Sequence, residues 1–488
     1  MKYRLLTITM LLVVTLSSGS IGKTIDWKYG QLAPPPIDES APWRDTQWQE
    51  ERQDESAQGI KALWQNRKGL RIQMRRISDP RGRAFVSLRY DIDKQSTMLN
   101  RKPGVSELIE RGLAPGGLEG YSAGQVSDLF SKTTVKFLGV RVADDALTYT
   151  ASCKKDDLLP AFELLRAYSL ASGWRSDAEK AVKQEWFKEI KRRQSSLDGQ
   201  VELKMSAALA GPHHWNRPAT LQEARAVTFR DADAWLGKAL TEAKLTVSVV
   251  GNAPDDAMDE AVRCFGQYHV VPHFMMASIY DAHNSSLPLT KPFKPGIAKV
   301  TAGGGAPRVV VNIAWPTGDM YDILRTRHLD LLARCLNDRL GSAIRKTYGD
   351  QSFVAVWNTA SETIRDDGQI HALVKVKSAD GDQVLRDIKR VVADFARQNV
   401  DPSLLASEKE SVLRSVARDR KNAEWWMQTV MPYLCWQPFR TYWLKDMEAH
   451  YKSANAGDLH KLAQSYLAPS RSYAVVGVSR PAVRSSHR

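Results

Sequence analysis

The sequence contains few cysteines and few long apolar runs. Its 488 residues include 4 cysteines, which lie far apart and form no Cys-x-x-Cys pair: Cys153, Cys264, Cys335 and Cys435. This spacing argues against a disulfide-stapled scaffold and against zinc-finger modules. Two disulfides could form in an oxidising compartment, but each cysteine has apolar neighbours, which favours buried free thiols. Beyond the first residues no apolar window is long enough to span a membrane, so no transmembrane segment is predicted.

Several sequence signatures of enzymes are also absent. There is no Gly-x-Ser-x-Gly elbow of a serine hydrolase, and the glycine cluster at 303–305 lacks the Lys-Ser/Thr of a phosphate-binding loop. Neither His-x-x-Glu-His nor His-Glu-x-x-His occurs among the 10 histidines. His213 and His214 are adjacent and would point to opposite faces of a strand, and His269 and His273 have no acidic neighbours. No metal site is therefore predicted.

The charge balance is basic, with 69 Lys and Arg against 55 Asp and Glu. Basic runs such as 191–193 are short, and acidic residues lie close to most of them. This pattern is typical of an evenly mixed surface, and no nucleic-acid-binding signature accompanies it. Nucleic acid is therefore not an expected partner.

The N-terminus has the pattern of a secretory signal peptide. Lys2 and Arg4 precede the apolar stretch 5–16, which small residues follow at 17–22. We predict a cleaved signal peptide over 1–22 and a periplasmic or secreted protein. Residues 23–55, with three consecutive prolines at 34–36, are predicted to form an extended arm.

The remaining chain is predicted to contain two similar lobes. An amphipathic helix followed by an alternating strand that ends in Val-Val-Gly occurs at 229–254 and again at 456–481, with Gly251 and Gly477 in matching positions. Further strands at 69–76, 84–90 and 309–315 flank helical patterns such as 158–171 and 178–194. We predict an α+β fold of two homologous lobes, each a mostly antiparallel sheet with helices packed on one face. The predicted boundaries are an N-terminal lobe at 56–270, a linker at 271–307, a C-terminal lobe at 308–482 and a tail at 483–488.

The order of these segments resembles the pitrilysin/insulinase family of zinc peptidases and the related core subunits of mitochondrial complex III. Gly211-Pro-His-His-Trp-Asn-Arg-Pro-Ala-Thr is similar to the family's His-Pro-Tyr-Gly-Arg-Pro segment. Leu336-Asn-Asp-Arg-Leu-Gly-Ser-Ala-Ile-Arg-Lys-Thr-Tyr-Gly is similar to a helix of its second lobe. The matching segments extend from about residue 60 to 482.

The resemblance implies a zinc site that this chain does not preserve. Active members carry His-x-x-Glu-His on an early helix, where two histidines bind Zn²⁺ and the glutamate acts as general base, and a glutamate on a later helix is the third ligand. In this chain the corresponding residues are Glu107, Glu110 and Arg111, and Glu189 fits the third-ligand position better than Glu185. Because a guanidinium cannot act as a zinc ligand, no zinc or other cofactor is expected. Glu189 is instead expected to pair with Arg111 or to face solvent.

The second lobe of active members supplies an arginine and, seven residues later, a tyrosine that hold the substrate carbonyl. Arg345 corresponds to the arginine and Ser352 to the tyrosine, while Tyr348 is out of register. We therefore expect no catalytic residues, with Arg345 either a retained peptide contact or a surface charge.

From the resemblance and the signal-peptide pattern, we predict an exported, non-catalytic member of the family. It would be a peptide-binding or partner subunit of a peptidase chamber, binding a peptide or unfolded polypeptide and associating with a second peptidase-like chain or with its own copy. Two alternatives remain, an active zinc metalloendopeptidase with unorthodox ligands and a cell-envelope assembly protein.

Overall fold

The computed structural model describes the central part of the chain with several gaps: residues 25–27, 49–52, 60–65, 70–92, 101–210, 217–266, 293–303, 306–378, 380–434, 437 and 439–480. The predicted signal peptide, most of the arm, His213, His214, His269, His273, Cys435 and the predicted tail lie outside these residues.

The first sheet contains seven described strands in the order β1-β2-β3-β7-β4-β6-β5. Strand β3 runs parallel to β7, and the other neighbours are antiparallel. The strands are β1 (Gln49–Arg52), β2 (Ile60–Gln65), β3 (Leu70–Arg76), β4 (Arg83–Asp91), β5 (Lys136–Val142), β6 (Ala146–Lys154) and β7 (Lys244–Gly251).

Most helices from the same half of the chain cover one face of this sheet and build a continuous apolar core with it. Three of these helices begin with capping boxes, at Ser122, Thr220 and Thr228, whose hydroxyls accept hydrogen bonds from backbone N–H groups of the first turn. The helices are α1 (Val105–Gly116), α2 (Ala123–Leu129), α3 (Leu158–Leu170), α4 (Ser176–Ser195), α5 (Leu197–Leu209), α6 (Leu221–Ala226), α7 (Phe229–Glu242) and α8 (Ala257–Phe265).

The second sheet repeats the topology of the first. Its strand order β8-β12-β9-β11-β10 corresponds to β3-β7-β4-β6-β5, and the only parallel pair described in it, β8 with β12, corresponds to β3 with β7. The strands are β8 (Gly296–Gly303), β9 (Val309–Pro316), β10 (Phe353–Ala360), β11 (Gly368–Val376) and β12 (Tyr473–Arg480). The predicted α+β architecture of two similar, mostly antiparallel lobes is confirmed.

Several helices of the second half form a second core on one face of this sheet. The long helix α9 connects β9 to β10, as α1 and α2 connect β4 to β5. The helical segments are α9 (Ile323–Tyr348), α10 (Gly381–Arg397), α11 (Pro402–Asp419), α12 (Ala423–Trp425), a π-helical turn (Trp426–Val430), α13 (Met431–Leu434), α14 (Arg440–Lys445), α15 (Met447–Ser453) and α16 (Ala456–Tyr466).

The second face of each sheet is covered by a helical segment from the other half of the chain. Helix α5 packs Leu197, Val201 and Met205 against apolar side chains of β8, β9 and β12. Conversely, the segment 423–434 packs Trp426 and Met431 against the first sheet. The sequence did not predict this exchange, which makes each half of the chain part of the other's core.

Gly477 explains why α5 can approach the second sheet closely. A Cβ atom at this position would lie 2.6 Å from Val201 Cγ2 and 2.9 Å from Leu197 Cδ1. The matching Gly251 has a different role, because its φ of 115° is rarely adopted by other residues and its Cβ would lie 2.5 Å from the Arg83 carbonyl oxygen.

Polar contacts reinforce this junction. Asp198, at the start of α5, pairs with Arg308 at 2.5 Å and with Lys375 at 2.6 Å. In addition, Thr363 Oγ1 donates to Asp144 Oδ2 at 2.7 Å and joins the β10–β11 turn to the β5–β6 turn. The two lobes are therefore connected by side-chain contacts as well as by the chain.

Two predicted boundaries need correction. Strand β8 lies inside the predicted linker 271–307, because alternate residues of 296–303 are partly sheltered and its backbone pairs with β12. Strand β1 lies inside the predicted arm 23–55, and Trp27 of that arm is buried against Tyr121 and Phe130.

The side-chain environments predicted for cysteine and tryptophan can be checked in part. Cys153, Cys264 and Cys335 are buried free thiols, as expected. Burial raises the pKa of both Cys153 and Cys335 to about 12. None of the helices in the described ranges is both long enough and apolar enough to cross a membrane.

Candidate functional site

Helices α1 and α4 bring together the residues that correspond to the family's zinc site. Glu107, Glu110 and Arg111 lie on α1, and Glu189 lies on α4. The buried indole of Trp186, on α4, packs against the start of α1, where its Cη2 atom would lie 3.2 Å from a Cβ at Gly104. The four positions that the resemblance grouped are therefore neighbours in the fold.

Arg111 and Glu189 form an ion pair, which is one of the two arrangements expected from the sequence. Arg111 Nη1 lies 2.8 Å from Glu189 Oε2, and Arg193 Nη2 donates to Glu189 Oε1 at 3.0 Å. The Arg111 guanidinium also lies 5.8 Å from the centre of the Trp186 ring. Two guanidinium groups therefore hold both oxygens of the carboxylate that would be the third metal ligand.

The Glu107 carboxylate is also fully engaged. Trp186 Nε1 donates to Glu107 Oε2 at 3.1 Å, and the Ala219 backbone N–H donates to Glu107 Oε1 at 2.5 Å. Nearby, Arg217 binds Glu223 through two hydrogen bonds, which lower the pKa of Glu223 to about 2. Glu107 thus connects α1 to α4 and to the chain that leads into α6.

Glu110, at the general-base position, is directed at a backbone group. Its Oε1 accepts a hydrogen bond from the Val142 N–H of strand β5 at 2.8 Å. Much of the side chain is exposed, yet partial desolvation of the carboxyl group raises the pKa of Glu110 despite the bond from Val142. The carboxylate faces β5, whereas the Arg111–Glu189 pair lies between α1 and α4.

This set of side chains does not fit zinc. Zinc in proteins is bound mainly by imidazole and thiolate, with carboxylate as an additional ligand. Here the three carboxylates are held by N–H donors, and a permanent cation occupies the position of one ligand. Across the described ranges, no group of three or more His, Cys, Asp or Glu side chains could hold a metal ion. The side chains of this site are therefore not arranged to bind zinc.

The second-lobe positions have separate surroundings. Arg345 is exposed in the last turn of α9, next to Lys346. The Ser352 hydroxyl is buried, so it does not present a donor to solvent as the tyrosine of active relatives would. Tyr348 donates its hydroxyl to Asp387 Oδ2 at 2.6 Å and is therefore a packing residue of α9 and α10.

Sequence reasoning missed two residues of the site. Arg193 lies four residues after Glu189 on α4, a spacing at which helical side chains meet, so this ion pair was predictable. Trp186 donates to Glu107 from a position 79 residues away, and no local pattern indicates such a contact.

Comparisons with known proteins match part of the sequence and the overall fold. Residues 226–412 match the family described as "Peptidase M16 inactive domain". A search of curated protein sequences gave no match.

Three solved structures share the fold. A protease from Helicobacter pylori (TM-score 0.69, 14% identity) covers 86% of this chain and is itself covered to 99%. A peptidase M16 inactive domain from Pseudomonas fluorescens (TM-score 0.69, 14% identity) covers 87% of this chain and is covered to 98%. The periplasmic protease PqqL from Escherichia coli (TM-score 0.70, 14% identity) covers 90%, but this chain spans only 47% of it.

The fold and the site define a class: a two-lobed peptidase-like protein in which the α1–α4 site is closed by an arginine–glutamate pair. The resemblance to the pitrilysin/insulinase family is supported by the matched inactive-domain segment at 226–412 and by the two-lobed fold shared with the solved structures.

Proposed function

We propose that this chain is an exported, non-catalytic pitrilysin/insulinase-like protein that acts as the partner subunit of a peptidase chamber and contacts peptide there. The observation that carries the proposal is the 2.8 Å pair between Arg111 and Glu189, in the place where relatives need a metal. A chain that keeps the fold while neutralising its own zinc position is suited to shaping a chamber.

The lengths of the related structures support a partner role. The chain corresponds to nearly the whole of two of the structures but to only 47% of the periplasmic protease PqqL. A two-lobed unit therefore occurs both as a separate chain and as about half of a longer one. As a separate chain, the two-lobed unit would match the size of the longer protein by associating with a second two-lobed chain, either an active relative or its own copy.

Export and peptide contact are further parts of the proposal. The signal-peptide pattern at 1–22 and the periplasmic relative support export. For peptide contact the best candidate is Arg345, because its exposed guanidinium can donate to a peptide carbonyl or carboxylate. The excess of Lys and Arg over Asp and Glu favours an acidic partner or peptide, with association that weakens as salt rises.

Purification from the native cell envelope at low salt tests the partner role. The tagged mature chain should elute together with a second two-lobed chain, or as a homodimer in sedimentation velocity. A stable pairing of this kind buries about 1,200–2,000 Å² or more. A strictly monomeric chain at every concentration would rule out the chamber.

Peptide contact is tested separately by fluorescence anisotropy with labelled peptides. Arg345→Ala should weaken binding without changing the melting temperature, whereas Lys346→Ala, its exposed neighbour on the same turn, is the matched control. Equal effects of the two substitutions would indicate a general charge effect and not a contact by Arg345.

A further inference from the structure

Among the described strands, β5 and β10 each lie at one edge of their sheet, and they occupy equivalent places in the two sheets. Backbone groups that point away from the sheet at such an edge can pair with an added polypeptide strand. In an antiparallel hairpin, the N–H groups of successive residues point alternately toward the partner strand and away from it. Ala143 N–H points toward β6, because it donates to the Ala146 carbonyl, and Ser361 N–H donates to the Asp367 carbonyl in the same way. It follows that the N–H groups of Val142 and Val356 point outward.

In both lobes this outward N–H is bound by a side chain from a helix of the connection that leads into the edge strand. Val142 N–H donates to Glu110 Oε1 of α1 at 2.8 Å. Val356 N–H donates to Asn337 Oδ1 of α9 at 3.0 Å. The lobes share their strand topology but have different residues at these positions, so the same contact is made with two different acceptors.

We propose that Glu110 closes the edge of β5 against the addition of an extended polypeptide strand, and that Asn337 closes the edge of β10 in the same way. An incoming strand would offer a backbone carbonyl to the Val142 N–H, which the Glu110 carboxylate already binds. The side chain at the position of the general base in active relatives is thus used here to block an edge. The proposal depends on the proposed function only for the choice of an extended polypeptide as the excluded partner.

The exposed side chains of β5 indicate which strand the open edge would accept. Lys136 and Arg141 are exposed and basic, and Leu138 is 50% exposed. An extended segment that alternates acidic and apolar residues is complementary to this surface. The Glu110 carboxylate also repels such a segment, so the test has to separate its charge from its hydrogen bond.

The experiment compares Glu110→Ala with Glu110→Gln, using a fluorescein-labelled peptide of alternating glutamate and valine. Glutamine keeps an acceptor for the Val142 N–H but has no charge. We expect Glu110→Ala to bind the peptide about two- to tenfold more tightly than the wild type, as the competing hydrogen bond is lost, and Glu110→Gln to stay close to the wild type. Without peptide, hydrogen exchange over 136–142 should be faster in Glu110→Ala than in the wild type or in Glu110→Gln. Adding the peptide should slow the exchange in Glu110→Ala.

The second lobe gives an independent comparison, Asn337→Ala against Asn337→Asp, with hydrogen exchange followed over 353–360. Equal gains for Glu110→Ala and Glu110→Gln would mean that charge repulsion and not edge closure controls binding. If neither alanine variant binds the peptide more tightly than the wild type, the proposal is wrong. These outcomes do not depend on whether the wild type associates with a second chain, so a failure of the proposed function remains distinguishable.

Discussion

The contact between Arg327 and His450 makes the stability of the second lobe depend on pH. Arg327 is 4% exposed on α9, and its Nη1 lies 2.7 Å from His450 Nδ1 on α15. Its Nη2 donates to the Trp443 carbonyl at 2.6 Å. Because a guanidinium only donates hydrogen bonds, His450 Nδ1 must be the acceptor and therefore unprotonated. Protonation of His450 would remove this acceptor and place two cations together.

The direction of the effect follows from the pKa of His450. Burial and, secondly, the charge of Arg327 lower this pKa below its ordinary value, and Asp446 opposes them. The stabilising contribution is complete above the unfolded pKa of about 6.5 and is lost as pH falls through the lower folded pKa. Since the bond involves a charged group, about 1.5–3 kcal/mol of unfolding free energy depends on it. Nearby Asp330 acts in the opposite direction, because burial raises its pKa to about 6.

Urea unfolding of the wild type and three variants between pH 5 and pH 8 tests this account. His450→Gln keeps an acceptor that does not titrate, so its stability should fall less than that of the wild type below pH 6.5. His450→Ala should be less stable than the wild type at pH 8, because Arg327 loses a partner. The matched control is His460→Gln, because the His460 imidazole contacts the Gln398 carbonyl at the surface and not Arg327. Parallel pH profiles for wild type and His450→Gln would refute the reasoning.

Three further predictions follow from the site, the junction and the thiols. Metal analysis of the purified chain should find far less than one zinc per molecule. The double variant Glu107→His with Arg111→His should approach one zinc per molecule, because two imidazoles then join Glu189. A zinc-free double variant would show that α1 and α4 are not arranged for a metal. Gly477→Val should lower the unfolding free energy by about 1–3 kcal/mol in urea titration by displacing α5, and an unchanged midpoint would contradict the packing described. Thiol titration of the folded protein should find three cysteines unreactive until urea is added, and their rapid modification in the native state would contradict their burial: Cys153, Cys264 and Cys335.

The parts of the fold that follow local patterns were predictable. The alternating strands that end at Gly251 and Gly477, and the helices before them, are where the sequence placed them. Strand β8 was missed because its exposed alternation follows prolines and ends in glycines, a composition typical of a linker. The exchange of α5 and 423–434 between the halves could not be predicted, since periodicity shows that a helix has an apolar side but not which sheet it contacts.

The site could be predicted only for the residues that align with the family's motif. Matching to the family's motif placed Arg111 and Glu189 together, and opposite charges at that distance pair. The partners of Glu107 and Glu110 depend on backbone N–H groups of Ala219 and Val142, which come from distant parts of the chain. A sequence gives the side chains of a site but not the backbone donors that tertiary structure brings to them.

The exchange of helices between the two halves also limits how the chain could change in evolution. A single lobe cut away from the chain would expose one sheet face that its own residues cannot cover, and it would carry a helix with no surface to bind. Neither half could therefore be lost or replaced alone without a new cover for the other sheet. Conversely, two fragments separated within 271–292 carry complementary surfaces, so co-expression should reassemble a folded particle from the separate pieces.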